Sequence, residues 1–337
     1  MKFGLLFALR NLDPKTKPQA EVYQEMMEQV HIAEELGFDS VWMSEHHLVP
    51  DGYCPSVLVA AAAAAARTKT IKIGIRILLL PLHDPLRVAE DAAVADLISD
   101  GRLILGMGIG YKIDEFQAFG KDRHKRGSMM DEEVQIIRKA WTEESFTFHG
   151  KHFHYDNVSM YPKPAQKPHP PIWLAARGGK AIDRAARLGD GFHGAGDAAL
   201  FAEFVAAMKR HGRDPLSVPI AESRQCWVAS TTEKAWEQAG PGIRHTSGEY
   251  GAWYSEAADL PRDQLRRVVP NDPEAGRGRE GQTFVGTPDQ VVGQFQELLE
   301  RSPHLTHSIM HVPPGVPPKA VVEHLELFSK RVMPRFP

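Results

Sequence analysis

The stretch Asp39-Ser40-Val41-Trp42-Met43-Ser44-Glu45-His46-His47 decides how this chain folds. It reads as a buried strand that stops abruptly at three groups able to exchange protons or hydrogen bonds. Such an ending fits a parallel strand that enters a barrel and presents its last residues at the mouth, where barrel enzymes keep their chemistry. Successive strand residues point to opposite faces, so Glu45 and His47 can share one face while His46 takes the other. A break in the pleat at the strand end leaves open which imidazole faces the lumen. One of them is a candidate general acid or base with Glu45 orienting a partner, since imidazole titrates near neutral pH. The plainer alternative is a set of hydrogen-bonded rim residues.

Outward from this strand the chain alternates. Before it, Lys2 to Leu9 reads as a strand, and Tyr23, Met26, Met27, Val30 and Ala33 recur at helical spacing up to Gly37, a natural helix stop. After it come a small-residue helix at 56 to 67, an apolar strand from Ile71 to Leu80 and a helix at 85 to 99. A strand from Arg102 to Gly110, a helix near 127 to 142 and an inserted hairpin from Phe146 to Val158 follow. A proline-stiffened connector leads to strand Ile172 to Ala176, a helix to Leu188, a short strand ending at His193 and a seventh strand from Ile220. Thr287-Pro288-Asp289-Gln290 spells a capping box before a helix striped with Val291, Val292, Phe295, Leu298 and Leu299. Strand eight is Ser308 to Val312. Pro317 and Pro318 open a last helix with Val321, Leu325, Phe328 and Val332 on one face.

Eight strand-helix units predict an α/β protein, a (β/α)8 TIM barrel spanning 1–337 as one domain. Residues 232–282 are interrupted by glycine, proline and charge, which predicts in part a mobile, lid-like insertion over the mouth near strands seven and eight. A doubly wound sheet would need a dinucleotide fingerprint. Gly106-Met107-Gly108-Ile109-Gly110-Tyr111 lacks the last glycine and no long helix follows it directly.

The 337 residues, 42% hydrophobic and 25% charged, have ordinary globular composition. A net charge of -3 gives no sign of a nucleic-acid or membrane partner. Cys54 and Cys226 are too few for a disulfide framework, and with no leader pattern at Met1 to Phe7 the expected location is cytoplasmic.

Three further places bear on function. Ala175-Ala176-Arg177-Gly178-Gly179-Lys180 runs from a strand through two glycines into a helix, so its backbone N–H groups can close on a phosphate. A plain βα turn with solvated cations is the alternative. Gly106, Gly108 and Gly110 leave room for a flat ligand, or fit a crowded barrel interior. Arg76, inside an apolar strand, needs a carboxylate from a neighbouring strand or a ligand anion if it is buried. No metal is expected: adjacent His46 and His47 chelate poorly, and His152 and His154 in the hairpin lack a third ligand.

Taken in order along the chain, several pieces resemble the luciferase-like monooxygenase superfamily of flavin and deazaflavin barrel enzymes. They are Trp42 to His47, Leu80-Pro81-Leu82-His83-Asp84-Pro85 and onward to Asp91, Gly101-Arg102 to Tyr111, Phe148-His149-Gly150, Pro170-Pro171-Ile172-Trp173, Arg184 to Gly191, Phe284-Val285-Gly286-Thr287-Pro288 and Val332-Met333-Pro334. The resemblance implies a barrel, usually dimeric, with a reduced flavin-type cofactor in its mouth. It implies His46 as the catalytic imidazole and Glu45 as its companion. It further implies a non-proline cis peptide near Arg76-Ile77 beside the ring, and cofactor contacts from Gly106, Gly108, Ala176, Arg177, Gly178, Gly179 and Lys180.

The chain also departs from the luciferase pattern. Gly108 and Ile109 replace a Cys-Arg pair on strand four, and Arg177 and Gly178 replace acidic and hydroxyl residues after strand five. The Gly-Gly-Lys turn also resembles F420-binding members. The implied function is therefore a monooxygenase that uses reduced FMN, supplied by a separate reductase, and O2 to oxygenate a small organic substrate. The alternatives are an F420-dependent oxidoreductase that transfers hydride without O2, a catalytically silent flavin-binding protein and a metal-dependent hydrolase.

Overall fold

Each of the eight apolar runs forms a strand in a computed structural model, which describes residues 1–194, 198–257 and 283–337. In chain order the strands are β1 (Lys2–Phe7), β2 (Ser40–Met43), β3 (Lys72–Ile75), β4 (Leu78–Leu79), β5 (Leu103–Gly108), β6 (Phe146–His149), β7 (His154–Val158), β8 (Ile172–Ala175), β9 (Gly191–His193), β10 (Ile220–Val228), β11 (Thr283–Gly286) and β12 (His307–His311). The order β1-β2-β3-β5-β8-β9-β10-β12, with β12 paired back to β1, closes a ring of eight parallel strands. The (β/α)8 expectation is met. β4 continues β3 along β5, and β6 and β7 form the antiparallel hairpin expected at Phe146 to Val158. β11 was not foreseen: it lies outside the ring, parallel to the last residues of β10.

The helices are α1 (Gln19–Glu35), α2 (Val57–Ala66), α3 (Pro85–Ile98), α4 (Ile113–Ala118), α5 (Arg126–Thr142), α6 (Gly179–Leu188), α7 (Ala198–Arg210), α8 (Thr232–Ala257), α9 (Pro288–Arg301) and α10 (Pro318–Arg331). Their ends follow local chemistry. Gly37 takes φ 79° just past α1, the left-handed conformation that glycine adopts freely. Asp84 accepts hydrogen bonds from the N–H groups of Leu86 and Arg87 at the start of α3. Thr287 and Gln290 make both halves of the capping box on α9. The faces read from the sequence are the ones buried. Phe295 of α9 and Phe328 of α10 meet Phe3 of β1 edge-on at 5.3 and 5.2 Å.

One expectation is corrected. Residues 232–257 are not an irregular excursion but a single 26-residue helix, α8, which runs through Pro241. The rest of the expected lid, 258–282, lies outside the described residues. Among the described residues no helix is long and apolar enough to cross a membrane.

Inside the ring, Leu6, Trp42, Ile104, Trp173, Ala221 and Ile309 form a separate apolar cluster that plugs the barrel. The Trp42 and Trp173 rings lie 5.3 Å apart. Room for Trp42 comes from glycine on the next strand: a Cβ on Gly74 would sit 2.1 Å from the indole. Gly74→Ala therefore overpacks a site with no slack, and should cost about 1–3 kcal/mol and lower the thermal midpoint by several degrees. Gly248 of α8 has nothing within 4 Å of its would-be Cβ. Gly248→Ala should instead gain up to about 1 kcal/mol. Calorimetric melts of the two variants check the pair, and equal effects would contradict the packing described.

Candidate active site

Strand periodicity fixes what lies above the plug. Two residues beyond Trp42, Gly74, Trp173, Gly191, Ala221 and Ile309 come Ser44, Arg76, Ala175, His193, Ser223 and His311. All six line one cavity of about 660 Å³ at the strands' C-terminal ends. Helix α8 covers it, contributing Arg244, Tyr250 and Tyr254 to the wall. The lid expectation was thus right about location.

β2 ends at Met43, and the next four residues split as the pleat argument allowed. Glu45 and His47 turn one way. Glu45 is 2% exposed, yet its carboxylate is fully satisfied. Oε1 meets His47 Nε2 at 2.6 Å and His83 Nε2 at 2.7 Å, while Oε2 accepts from the Leu79 N–H at 2.6 Å. Burial opposes its charge, but these hydrogen bonds and the His83 charge outweigh it and hold the carboxyl at about 2. Glu45 therefore ties the end of β2 to the turn before α3. The sequence reading missed His83, although it stands in the quoted Leu82-His83-Asp84. The ligand atoms of Glu45, His47 and His83 lie within 4.8 Å of one another, close enough to hold a cation, but both imidazoles are engaged by the carboxylate.

His46 turns the other way, into the cavity wall. Its Nδ1 lies 2.9 Å from Glu115 Oε1, which also accepts the His47 N–H at 2.8 Å. A carboxylate can only accept, so the proton sits on Nδ1 and Nε2 is left as the exchanging atom. Nε2 faces the Tyr111 hydroxyl at 3.3 Å. Tyr53, Tyr111, Tyr250 and Trp253 surround the ring at 4.7 to 5.6 Å. Tyr53 joins Ser44 on one side and the Tyr250 hydroxyl on the other, at 2.7 Å. Burial pushes the Tyr53, Tyr111 and Tyr250 phenols up, so they stay protonated and can donate. Glu115 rides on α4, a six-residue helix too short for periodicity to reveal.

Across the cavity, Ala176, Arg177 and Gly178 line the wall before α6. Gly178 has φ 149° and open space where a Cβ would be, and the next N–H, that of Gly179, donates to Glu203 Oε1 at 3.2 Å, so this helix start already holds one carboxylate. The Arg177 guanidinium lies 4.1 Å over the Tyr254 ring, which stacks on Tyr111 at 4.1 Å. Arg76, Arg126, Arg177 and Arg244 all line the cavity and form no ion pair among the described residues. Among the described residues the only carboxylate on that wall is Glu45. Such a cavity favours an anion.

Residues 1–304 match the luciferase-like monooxygenase family. The chain belongs to that family. Its oxidoreductase relatives are of two kinds. The oxygenase component of the flavin-dependent trigonelline monooxygenase of Acinetobacter baylyi is 26% identical over 89% of this chain and 84% of that one. An F420-dependent glucose-6-phosphate dehydrogenase of Amycolatopsis mediterranei is 27% identical over 95% of this chain and 97% of its own. Monooxygenase RslO1 of Streptomyces bottropensis superposes with a TM-score of 0.85, 27% identity and full coverage of both chains. Other curated relatives match over about half of this chain and half of theirs.

The remaining expectations for this luciferase-like chain divide. The Arg76-Ile77 peptide is cis, as the resemblance implied, and Arg76, Ile77 and Gly108 line the cavity. Gly106 does not. A Cβ there would lie 1.9 Å from the Ile75 carbonyl oxygen, so this glycine serves the close approach of β3 and β5. Gly179 and Lys180 are exposed at the start of α6 and also lie off the cavity wall.

The Glu45 carboxyl, held at about 2 against an ordinary 4.5, stabilises the fold above pH 4.5, and that contribution is lost as the pH falls through about 2. Glu45→Gln should therefore be less stable than wild type by about 3 kcal/mol at pH 7. The gap should narrow steadily below pH 4.5. Urea titrations at pH 7, 5 and 3 read it directly; a gap that ignored pH would mean that the charge is not what holds this corner.

Proposed function

We propose that this chain is the oxygenating component of a two-component monooxygenase, receiving reduced FMN from a separate reductase and using O2 to oxygenate a small organic substrate. The observation that carries the reading is the His46–Glu115 pair facing a cavity whose far wall is the Arg177-Gly178 turn. The space suits such a ligand, since cofactor pockets run to roughly 300–1,000 Å³. The side-chain-free Gly178 and Arg177, which is in no ion pair among the described residues, suit a phosphate that would replace the Glu203 carboxylate at the Gly179 N–H. Reduced FMN, when bound, supplies the electrons that activate O2, leaving the protein to position, shield and manage protons.

The chain's own residues divide that work. Glu115 holds the proton on His46 Nδ1, so His46 Nε2 can give or take a proton at the cavity while Tyr111 donates to it. The aromatic wall of Tyr53, Tyr250 and Trp253 keeps water from that imidazole. A second reading, hydride transfer from F420 without O2, is supported by the relative named for F420. Titration with FMN and with F420, each oxidised and reduced, distinguishes the two by fluorescence. We expect tighter binding of reduced FMN; preference for F420 would defeat the first reading. His46→Ala should keep cofactor affinity yet lose at least a hundredfold in turnover, a loss in the range of general acid-base contributions.

We further propose a homodimer built on α2 and α3, which pack side by side. Val59, Val94, Leu97 and Ile98 are large apolar residues exposed there, the last three at i, i+3 and i+4 on one helix face. Light scattering should give twice the 37.5 kDa chain mass. Leu97→Asp combined with Ile98→Asp should give the monomer, and an unchanged mass would place the interface elsewhere.

A further inference from the structure

Among the described residues Arg76 is a cation in no ion pair. It is the inward residue one pleat above Gly74, and its Nη2 donates to the Gly194 carbonyl at 3.0 Å and to Ser223 Oγ at 2.7 Å. Both acceptors are neutral, and Nε has no partner among the described residues. The acid that acts on it most, Glu222, sits on the other face of β10. There its Oε1 takes Arg224 Nε at 2.7 Å and the Ser308 hydroxyl. Burial, and after it the charge of Arg177, bring the Arg76 guanidinium down to about 10, so it remains charged at neutral pH. The guanidinium is half-buried on the cavity wall, and a ligand anion there would offset the cost of its partial burial.

Its neighbours on the cavity floor are short of partners too. His193, 1% exposed, has neither ring nitrogen hydrogen-bonded among the described residues, and Gln225 Oε1 is also unsatisfied. Gln225 Nε2 approaches His311 Nδ1 at 3.4 Å. Burial, then the Arg76 charge, hold His193 and His311 far below the usual imidazole range, so both are neutral and each keeps one N–H to donate. The floor thus combines a planar cation, neutral N–H donors and a hydroxyl, with no described carboxylate beside them. That set matches a planar oxyanion, whose two oxygens a guanidinium can hold side by side.

Resting on the reading of this cavity as the active site, we propose that the substrate is a small organic acid whose carboxylate is held on the barrel floor by Arg76, with His193 beside it, leaving the rest of the molecule under His46. This deepens the proposed reaction by assigning its substrate class, and it makes Arg76 a specificity-determining residue. A different occupant for the guanidinium is the cofactor's own anionic edge, and the experiment separates the two.

Trp42 and Trp173 flank the His193 ring at 5.1 and 5.2 Å, so their fluorescence reports on the floor without any turnover. The full-length protein, with and without FMN, is titrated with acid and amide pairs of equal shape: acetate and acetamide, hexanoate and hexanamide, benzoate and benzamide. At least one acid should bind tenfold or more tighter than its amide. Arg76→Gln should abolish that preference while changing the amide and FMN dissociation constants less than twofold. The proposal is overturned if no acid outbinds its amide in the wild type, a comparison that needs no variant. It is overturned equally if Arg76→Gln weakens FMN as much as the acid, which would give the guanidinium to the cofactor. If neither FMN nor F420 binds but the acid preference persists, the cofactor reading fails and this one stands.

Discussion

The constraint on which the molecule depends is the width of an eight-stranded parallel barrel, which admits side chains and little else. Trp42 and Trp173 fill it, with Gly74 giving way so that the first indole can lie flat against the next strand. Once one layer is sealed by apolar bulk, the strand period of two determines the next. The inward residues one pleat higher can no longer pack against each other and face open space. They are Ser44, Arg76, Ala175, His193, Ser223 and His311, small or polar, and they make the cavity floor. The site is thus what remains of the barrel interior above its plug.

Much of this was legible in the chain. Most ring strands announce themselves as apolar runs because a parallel sheet covered on its outer face and plugged inside must be apolar on both, although β9 (Gly-Phe-His) and β10, with Glu222, Ser223, Arg224 and Gln225 inside it, are mixed. The capping box at Thr287 and Gln290 and the stop at Gly37 are local signals and need no tertiary knowledge. Helix α8 was illegible for a physical reason. Gly242, which breaks its pattern, is needed where the helix crosses the loop after β12: a Cβ there would lie 2.2 Å from the Pro314 carbonyl oxygen. Close packing between elements distant in sequence looks, along the sequence, like disorder. Glu115 and His83 were hidden for a related reason. Each is a single polar residue whose partner, His46 or Glu45, lies 69 or 38 positions away.

Glu45 was read as the companion that orients His46, and it is not: the carboxylate on His46 comes from Glu115. Glu45 takes two imidazoles and a backbone N–H on two oxygens, closing the corner between β2 and the turn before α3. Its charge is spent on architecture, and removing it would strand the buried His47 and the half-buried His83. His46 is held by a carboxylate from another element and keeps Nε2 toward the cavity. One short motif therefore splits into a structural anchor and a proton-exchanging group because successive residues leave the strand on opposite sides.

The same distinction, between polar atoms that are spent and polar atoms that are spare, runs through the whole interior. Arg102 donates to the carbonyls of Ala65, Thr68, Ile71 and Ser99 and to the Thr68 hydroxyl, and Arg224 is joined to Glu222. Those guanidinium groups bind strands and helices together and have no bearing on ligands. Arg76 is half-buried and among the described residues donates to two neutral oxygens, and it shares its cavity with a histidine and an amide oxygen that lack partners among the described residues. Unsatisfied polar atoms, donors and one acceptor, gathered on one open floor are better explained by an occupant than by poor packing, since each would otherwise cost free energy that a hydrogen-bonding ligand recovers.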